Sequence, residues 1–145
     1  MVEMAKISLV YKVKNSLWGE FVYRIFTGFL GTMLVVLFLT GFMPIMATVP
    51  YLPWIIGFSA MASGYSLVEK TTGRIQRQKA AGAGTGILVA ALACLSLNLL
   101  TGYMAGVGLI YWYDMLFFVS IGLVCGFWGA LLSVKYTALK KSRAN

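Results

Sequence analysis

Residues 69–79 read Glu-Lys-Thr-Thr-Gly-Arg-Ile-Gln-Arg-Gln-Lys and divide the chain near its middle into two strongly apolar halves. This stretch, the central hinge, carries four of the twelve basic residues. Each half contains two hydrophobic stretches, and an α-helix needs about 20 mainly apolar residues to cross a bilayer core. The pattern predicts an all-α integral membrane protein with four transmembrane helices arranged as two hairpins.

Composition excludes an ordinary soluble domain. The 145 residues are 60% hydrophobic and 11% charged, whereas soluble proteins average about 25% charged residues. So few charged side chains cannot cover a water-exposed surface. The net charge of +8 would suggest nucleic-acid binding in a soluble protein, but lysine and arginine also collect on the cytoplasmic side of membrane proteins. We therefore expect lipid contacts and no nucleic-acid partner.

The four spans lie in a single domain, at about residues 25–49, 52–68, 80–100 and 115–134. The first is long, and Pro44, which lacks a backbone N–H, is its expected kink. Pro50 and Pro53 then separate it from the second span. The short link between spans one and two is the first outer connection. Residues 101–113, which are apolar and aromatic, form the second.

The distribution of basic residues predicts orientation. Arginine and lysine precede span one, fill the central hinge and follow span four, while neither outer connection contains any; the only charge there is Asp114. Short basic segments stay in the cytoplasm. The prediction is an N-in/C-in protein of a plasma membrane such as the bacterial inner membrane, with both termini and the hinge cytoplasmic.

Two features precede the first span. Apolar residues at helical spacing between Ile7 and Phe21 alternate with lysines, which fits either a short basic helix on the headgroups or a plain polar tail. Glu20 and Arg24 are four residues apart, the spacing of a same-face pair on a helix. We expect these two side chains to form a local ion pair.

A short echo links the two halves. Residues 39–43, Leu-Thr-Gly-Phe-Met, recur as residues 100–104, Leu-Thr-Gly-Tyr-Met, each before an apolar connection. The echo is compatible with a parallel repeat of two hairpins, but five residues of these types also recur by chance in membrane sequences.

Chemistry-bearing residues are scarce. The chain has no histidine, and its four acidic residues all lie at or outside the span boundaries. An ionisable residue at membrane depth would indicate a functional site by default, a serine nucleophile needs an adjacent base, and a metal needs convergent ligands. Cys94 and Cys125 fall inside spans without a CxxC motif. The sequence predicts no enzyme activity, no metal and no cofactor.

Small residues spaced four apart are the clearest positive signal. Such pairs stack on one helix face and let helix backbones approach where lipid gives no hydrophobic drive. The faces can pack inside the chain or dock onto another subunit. The predicted packing and partner-interface residues are Ala60, Gly64, Gly82, Gly86, Gly122 and Gly126.

A few polar residues remain near the outer face and on span two. Asp114 follows three aromatic residues and is expected to cap the N-terminus of span four, with an outward-facing cation or partner contact as the alternative. We expect Asn98 to bond across to another helix, worth about 0.6 kcal/mol in membranes. Span two carries a modest polar face, compatible with packing or with a lined cavity, made by Ser59, Ser63, Tyr65 and Ser66.

These observations favour a small non-catalytic membrane subunit of a larger complex. Its expected partners are membrane lipids and other integral membrane subunits or further copies of itself. The alternative is a small homo-oligomeric channel or uncoupled carrier with the serines of span two facing the pore. The cations of the hinge set topology and contact anionic lipid, or they bind a cytoplasmic partner; they are Lys70, Arg74, Arg77 and Lys79.

Overall fold

The apolar stretches of the sequence form helices in a computed structural model that describes residues 17–71, 74–106, 108 and 110–143. The helices are α1 (Leu17–Thr40), α2 (Ile45–Thr48), α3 (Leu52–Lys70), α4 (Gln78–Ala105) and α5 (Trp112–Arg143), with a 3-10 turn at Val49–Tyr51. No strand occurs within the described ranges. The prediction of an all-α protein is confirmed.

Four helical segments are long and apolar enough to cross a membrane. They are α1, the segment Ile45–Lys70 that joins α2 to α3, the residues Gln78–Tyr103 of α4, and α5. The 32 residues of α5 correspond to about 48 Å at 1.5 Å per residue. This exceeds the thickness of a bilayer hydrocarbon core, which is about 30 Å.

The first helix differs from the predicted span. α1 begins at Leu17 and ends at Thr40, rather than running from Ile25 to Val49. Its last turn tightens, since the N–H of Gly41 lies 3.3 Å from the Leu37 carbonyl and 3.2 Å from that of Phe38. The expected kink at Pro44 is therefore wrong. Pro44 stands between two helices as the N-cap of α2, because a proline disfavours helical geometry in the residue before it.

The other helix ends follow local chemistry. Pro53 lies in the first turn of α3, where its missing N–H costs no helical bond. α4 continues past residue 100 to Ala105, and its C-cap is Gly106, whose φ of 70° is left-handed and favours glycine. The outer connection is consequently shorter than residues 101–113. The two copies of the five-residue repeat also differ in structure. Residues 100–104 lie within α4, whereas residues 39–43 cross the end of α1.

Contacts between glycines define how the helices run. Gly82 faces Gly126, and Gly86 faces Gly122, so α4 and α5 are antiparallel. Gly64 also faces Gly126 while Gly57 approaches Ile121, so α3 and α5 are parallel. The ends of α3 and α5 and the start of α4 therefore meet at one end of the bundle. We call it the basic end, because it carries the described hinge cations and the lysines of α5.

Packing is densest among α3, α4 and α5, while α1 lies against α3 and α4. The buried residues of α1 form a single stripe, Ile25, Gly28, Thr32 and Val36. Toward the opposite end of the bundle, larger buried side chains such as Leu52, Ile56, Leu97 and Phe118 form one apolar cluster. The glycine contacts thus lie toward the basic end, where Leu67 and Val68 are also buried, and the apolar cluster lies at the other end.

The predicted pair of Glu20 and Arg24 is confirmed, with 3.5 Å between the Arg24 Nε and a Glu20 carboxylate oxygen. Both side chains are about four-fifths buried. The proposed headgroup helix before Leu17 lies outside the described residues.

Candidate functional site

The glycines of α4 and α5 bring the two helix backbones into contact. A Cβ atom at Gly122 would lie 2.5 Å from the Gly86 carbonyl oxygen and 2.7 Å from the Ala90 methyl. A Cβ atom at Gly82 would lie 2.8 Å from the Gly126 carbonyl oxygen. These distances are too short for any side chain, so the close approach requires glycine at these positions.

The small-residue face of α3 joins the same interface. Ala60 and Gly64 are buried, and a Cβ atom at Gly64 would lie 2.5 Å from the Gly126 carbonyl oxygen. Gly126 also lies against the backbone of Gly86. The five predicted glycines therefore meet in one interface between α3, α4 and α5, and helices of the same chain occupy their faces. The sixth predicted residue, Ala60, is buried one turn before Gly64 on α3.

Three further glycines contribute to close packing and were not singled out from the sequence. Gly129 lies against the Met61 backbone, Gly28 against Ser63, and Gly57 beside Cys125 and Ile121. Gly129 is three residues after Gly126, and Gly57 is three residues before Ala60. A search that included three-residue spacing as well as four would have found both.

A groove of small and hydroxyl-bearing residues opens outward between α1 and α3. Its volume is about 400 Å³, and Arg24 lies at one end. A Cβ atom at Gly31 would meet nothing within 4 Å, so this wall of the groove is open. We call it the α1–α3 groove, and its small lining residues are Thr27, Gly28, Gly31, Ser59, Ala62, Ser63 and Ser66.

The serine hydroxyls of this groove differ from the threonine hydroxyls of α1. Threonine hydroxyls bond back to their own helix, as Thr27 does to the Tyr23 carbonyl at 2.7 Å and Thr32 to the Gly28 carbonyl at 2.9 Å. The hydroxyls of Ser59, Ser63 and Ser66 form no hydrogen bond with any described residue. A polar group without a partner in hydrocarbon is costly, so these serines favour a polar neighbour.

An apolar groove lies on another side of α3, where it faces α5. Its volume is about 490 Å³, and large side chains such as Trp54, Phe58 and Phe117 line it together with Cys125. Cys94 is buried in the core and, like Cys125, is a free thiol. The lining is almost entirely apolar.

The hinge cations surround the basic end without forming one face. Lys70 is the last residue of α3. Arg74 lies in a turn, and its backbone N–H donates to the Thr71 carbonyl at 2.9 Å. Arg77 immediately precedes α4, and Lys79 lies in its first turn. Arg74 and Arg77 both lie outside the helices, between the end of α3 and the start of α4.

Asn98 holds the outer connection, not a neighbouring helix. Its side-chain nitrogen donates to the Ile110 carbonyl at 2.9 Å, and its side-chain oxygen accepts from the Ile110 N–H at 2.8 Å. The expected bond across to another helix is wrong. The amide instead pairs with both backbone groups of a residue twelve positions later, which fixes the start of α5 against α4.

Asp114 is the third residue of α5 and is exposed. Its carboxylate forms no hydrogen bond with a described residue, so the expected cap is wrong. Its charge does lie in the first turn of the helix, where the macrodipole favours an anion.

The described residues contain no group of three or more His, Cys, Asp or Glu side chains that could hold a metal ion. In comparisons with protein families, curated proteins and solved structures, none matches this chain.

Replacing Asn98 with alanine tests the clamp on Ile110. We expect Asn98→Ala to destabilise the protein by about 1 kcal/mol, within the range for a lost hydrogen-bond pair, and to accelerate amide exchange at Ile110. Hydrogen exchange in detergent micelles measures this. Ser96→Ala is the control, because Ser96 is half-buried on the same helix and its hydroxyl forms no described bond. Unchanged exchange at Ile110 in Asn98→Ala would contradict the assignment.

Proposed function

We propose that this chain is a non-catalytic integral membrane subunit that receives a transmembrane helix of a partner subunit in the α1–α3 groove. The observation that carries the proposal is the set of serine hydroxyls in that groove, which have no hydrogen-bond partner among the described residues. Small residues permit close helix approach, and Ser or Thr hydroxyls bond between helices. The groove offers both to an incoming helix.

The buried glycine interface supports this choice of surface. Because the faces of Gly82, Gly86, Gly122 and Gly126 are filled by the chain itself, a partner must use another surface. Around α3 to α5 the exposed side chains are mostly large and apolar, including Leu99, Phe117 and Leu123. Such residues suit lipid equally well. The α1–α3 groove differs from these surfaces, because several of its lining side chains are small and carry hydroxyl groups.

The proposal also places the protein in its membrane. α1 with the segment Ile45–Lys70 forms one membrane hairpin, and α4 with α5 forms the second. The basic end faces the cytoplasm, since short basic segments are retained there. Both termini then lie in the cytoplasm of a plasma membrane, with Asp114 at the outer surface.

The alternative is a homo-oligomeric channel or uncoupled carrier. The same serines favour it, because several copies arranged around their α1–α3 grooves would surround a path with hydroxyl groups. Four helices of one copy pack closely in the interior, so conduction would depend on that assembly. The two hypotheses differ in which molecule contacts the groove.

Cysteine labelling tests orientation. In a background with Cys94→Ala and Cys125→Ala, we expect Arg74→Cys to react with a membrane-impermeant maleimide only after the cytoplasmic side is opened. Asp114→Cys is the matched control and should react in intact cells, because it is exposed at the opposite end. Labelling of position 74 from outside would overturn the orientation.

Photocrosslinking tests the groove. A photoreactive residue at Ala62 should crosslink to one distinct membrane protein in native membranes, whereas the same residue at Gly84 should not. Gly31→Leu should reduce that crosslink by about tenfold or more, since filling the groove excludes the helix and 1.4 kcal/mol already corresponds to tenfold. Gly84→Leu is the matched control, because neither glycine has a neighbour within 4 Å of its Cβ position.

The identity of the crosslinked molecule distinguishes the partner-subunit hypothesis from the channel hypothesis. Crosslinks between copies of this chain would favour the channel alternative over the partner subunit. Crosslinks to lipid alone, unaffected by Gly31→Leu, would contradict both.

A further inference from the structure

A second cleft lies at the basic end, between the start of α4 and the side of α5. Residues 76–80 line it together with Phe127 and Val134, and its volume is about 470 Å³. We call it the α4–α5 cleft. It is separate from the α1–α3 groove, with which it shares no lining residue.

The rim of this cleft is cationic. Arg77 and Lys79 are both exposed, and neither forms an ion pair with a described residue. Gln76 and Gln78 add side-chain amides that can donate hydrogen bonds. The rim therefore has two uncompensated positive charges and two neutral donors, a set that suits a phosphate-bearing anion.

The floor of the cleft is apolar. Ala80, Phe127 and Val134 form it, and Phe127 remains about one-third exposed, at 37%. Below the cleft the surface of α5 continues with exposed apolar side chains such as Leu123 and Val124. A bound molecule can thus place a charged group on the rim and a hydrocarbon chain along the helix.

The level of the cleft matches the membrane interface. Ala80 begins the apolar sequence of α4, and Val134 ends that of α5 immediately before Lys135. Trp128 follows Phe127 and is exposed, as tryptophan commonly is at the boundary between headgroups and hydrocarbon. Cations, amides and an aromatic residue therefore lie where lipid phosphates lie.

We propose that the α4–α5 cleft binds the phosphate headgroup of an anionic phospholipid, held by Arg77 and Lys79, with an acyl chain packed along Phe127. An acidic protein or a free anion would use the charged rim but gain nothing from the apolar floor. The combination of rim, floor and interfacial level selects a lipid. The site is independent of the partner helix proposed for the α1–α3 groove.

The chain supplies its own control for nonspecific attraction. Lys70 and Arg74 carry the same charge at the same end but do not line the cleft. Any effect of overall charge must act alike on Arg77→Gln/Lys79→Gln and on Lys70→Gln/Arg74→Gln. A difference between these two variants reports on the cleft itself.

Native mass spectrometry of the full chain with added lipid is the test. We expect one phosphatidylglycerol to remain bound in preference to phosphatidylcholine. Arg77→Gln/Lys79→Gln should weaken retention by about tenfold or more, since a cation near anionic lipid contributes on the order of a fivefold factor. Phe127→Ala should weaken it too, while Lys70→Gln/Arg74→Gln should have a clearly smaller effect.

Two results would overturn the proposal. Equal losses in both double variants would show a general charge effect without a site. Displacement of phosphatidylglycerol by inorganic phosphate, with no effect of Phe127→Ala, would show an anion site that does not recognise lipid. The substituted residues are exposed or partly exposed, and unchanged circular dichroism melting would verify that each variant folds.

Discussion

The structure depends on the contact of the α5 backbone with the backbones of α3 and α4. Lipid chains are as apolar as leucine, so helices in a bilayer gain little by burying apolar side chains against each other. Close van der Waals contact must hold them together instead. Gly122 and Gly126 provide it, because Gly86 approaches both of them and Gly64 approaches Gly126 from the other side.

This packing determines where other surfaces remain. Three helices share the glycine interface, while α1 buries a single stripe against α3 and α4. Beside this looser contact of α1 lies the α1–α3 groove, where Ser59 and Ser66 are partly exposed and Ser63 is buried against Gly28. At the basic end, the start of α4 and the side of α5 line a cleft between charged and apolar residues. The two proposed sites thus lie beside the rigid core and outside it.

The sequence predicted the helical architecture well and the local contacts less well. Hydrophobic length revealed four helices, and the spacing of Gly82, Gly86, Gly122 and Gly126 identified residues that the structure brings together. It did not reveal that α1 ends before Pro44, since apolar residues continue through the turn. Nor could it identify Ile110 as the partner of Asn98, because a backbone partner twelve residues away leaves no side-chain pattern. The α1–α3 groove and the α4–α5 cleft depend on how neighbouring helices pack against each other, which the composition of the chain does not reveal.

The most direct measurement of the central contact is the free energy of unfolding of Gly122→Ala in mixed detergent micelles, compared with that of Gly84→Ala. A Cβ atom at Gly122 would lie 2.5 Å from a backbone oxygen of α4, whereas one at Gly84 would meet nothing within 4 Å. We predict that Gly122→Ala lowers stability by about 1–3 kcal/mol, as overpacking does, while Gly84→Ala leaves it unchanged or slightly higher. Equal stability of the two variants would contradict a core built on backbone contact.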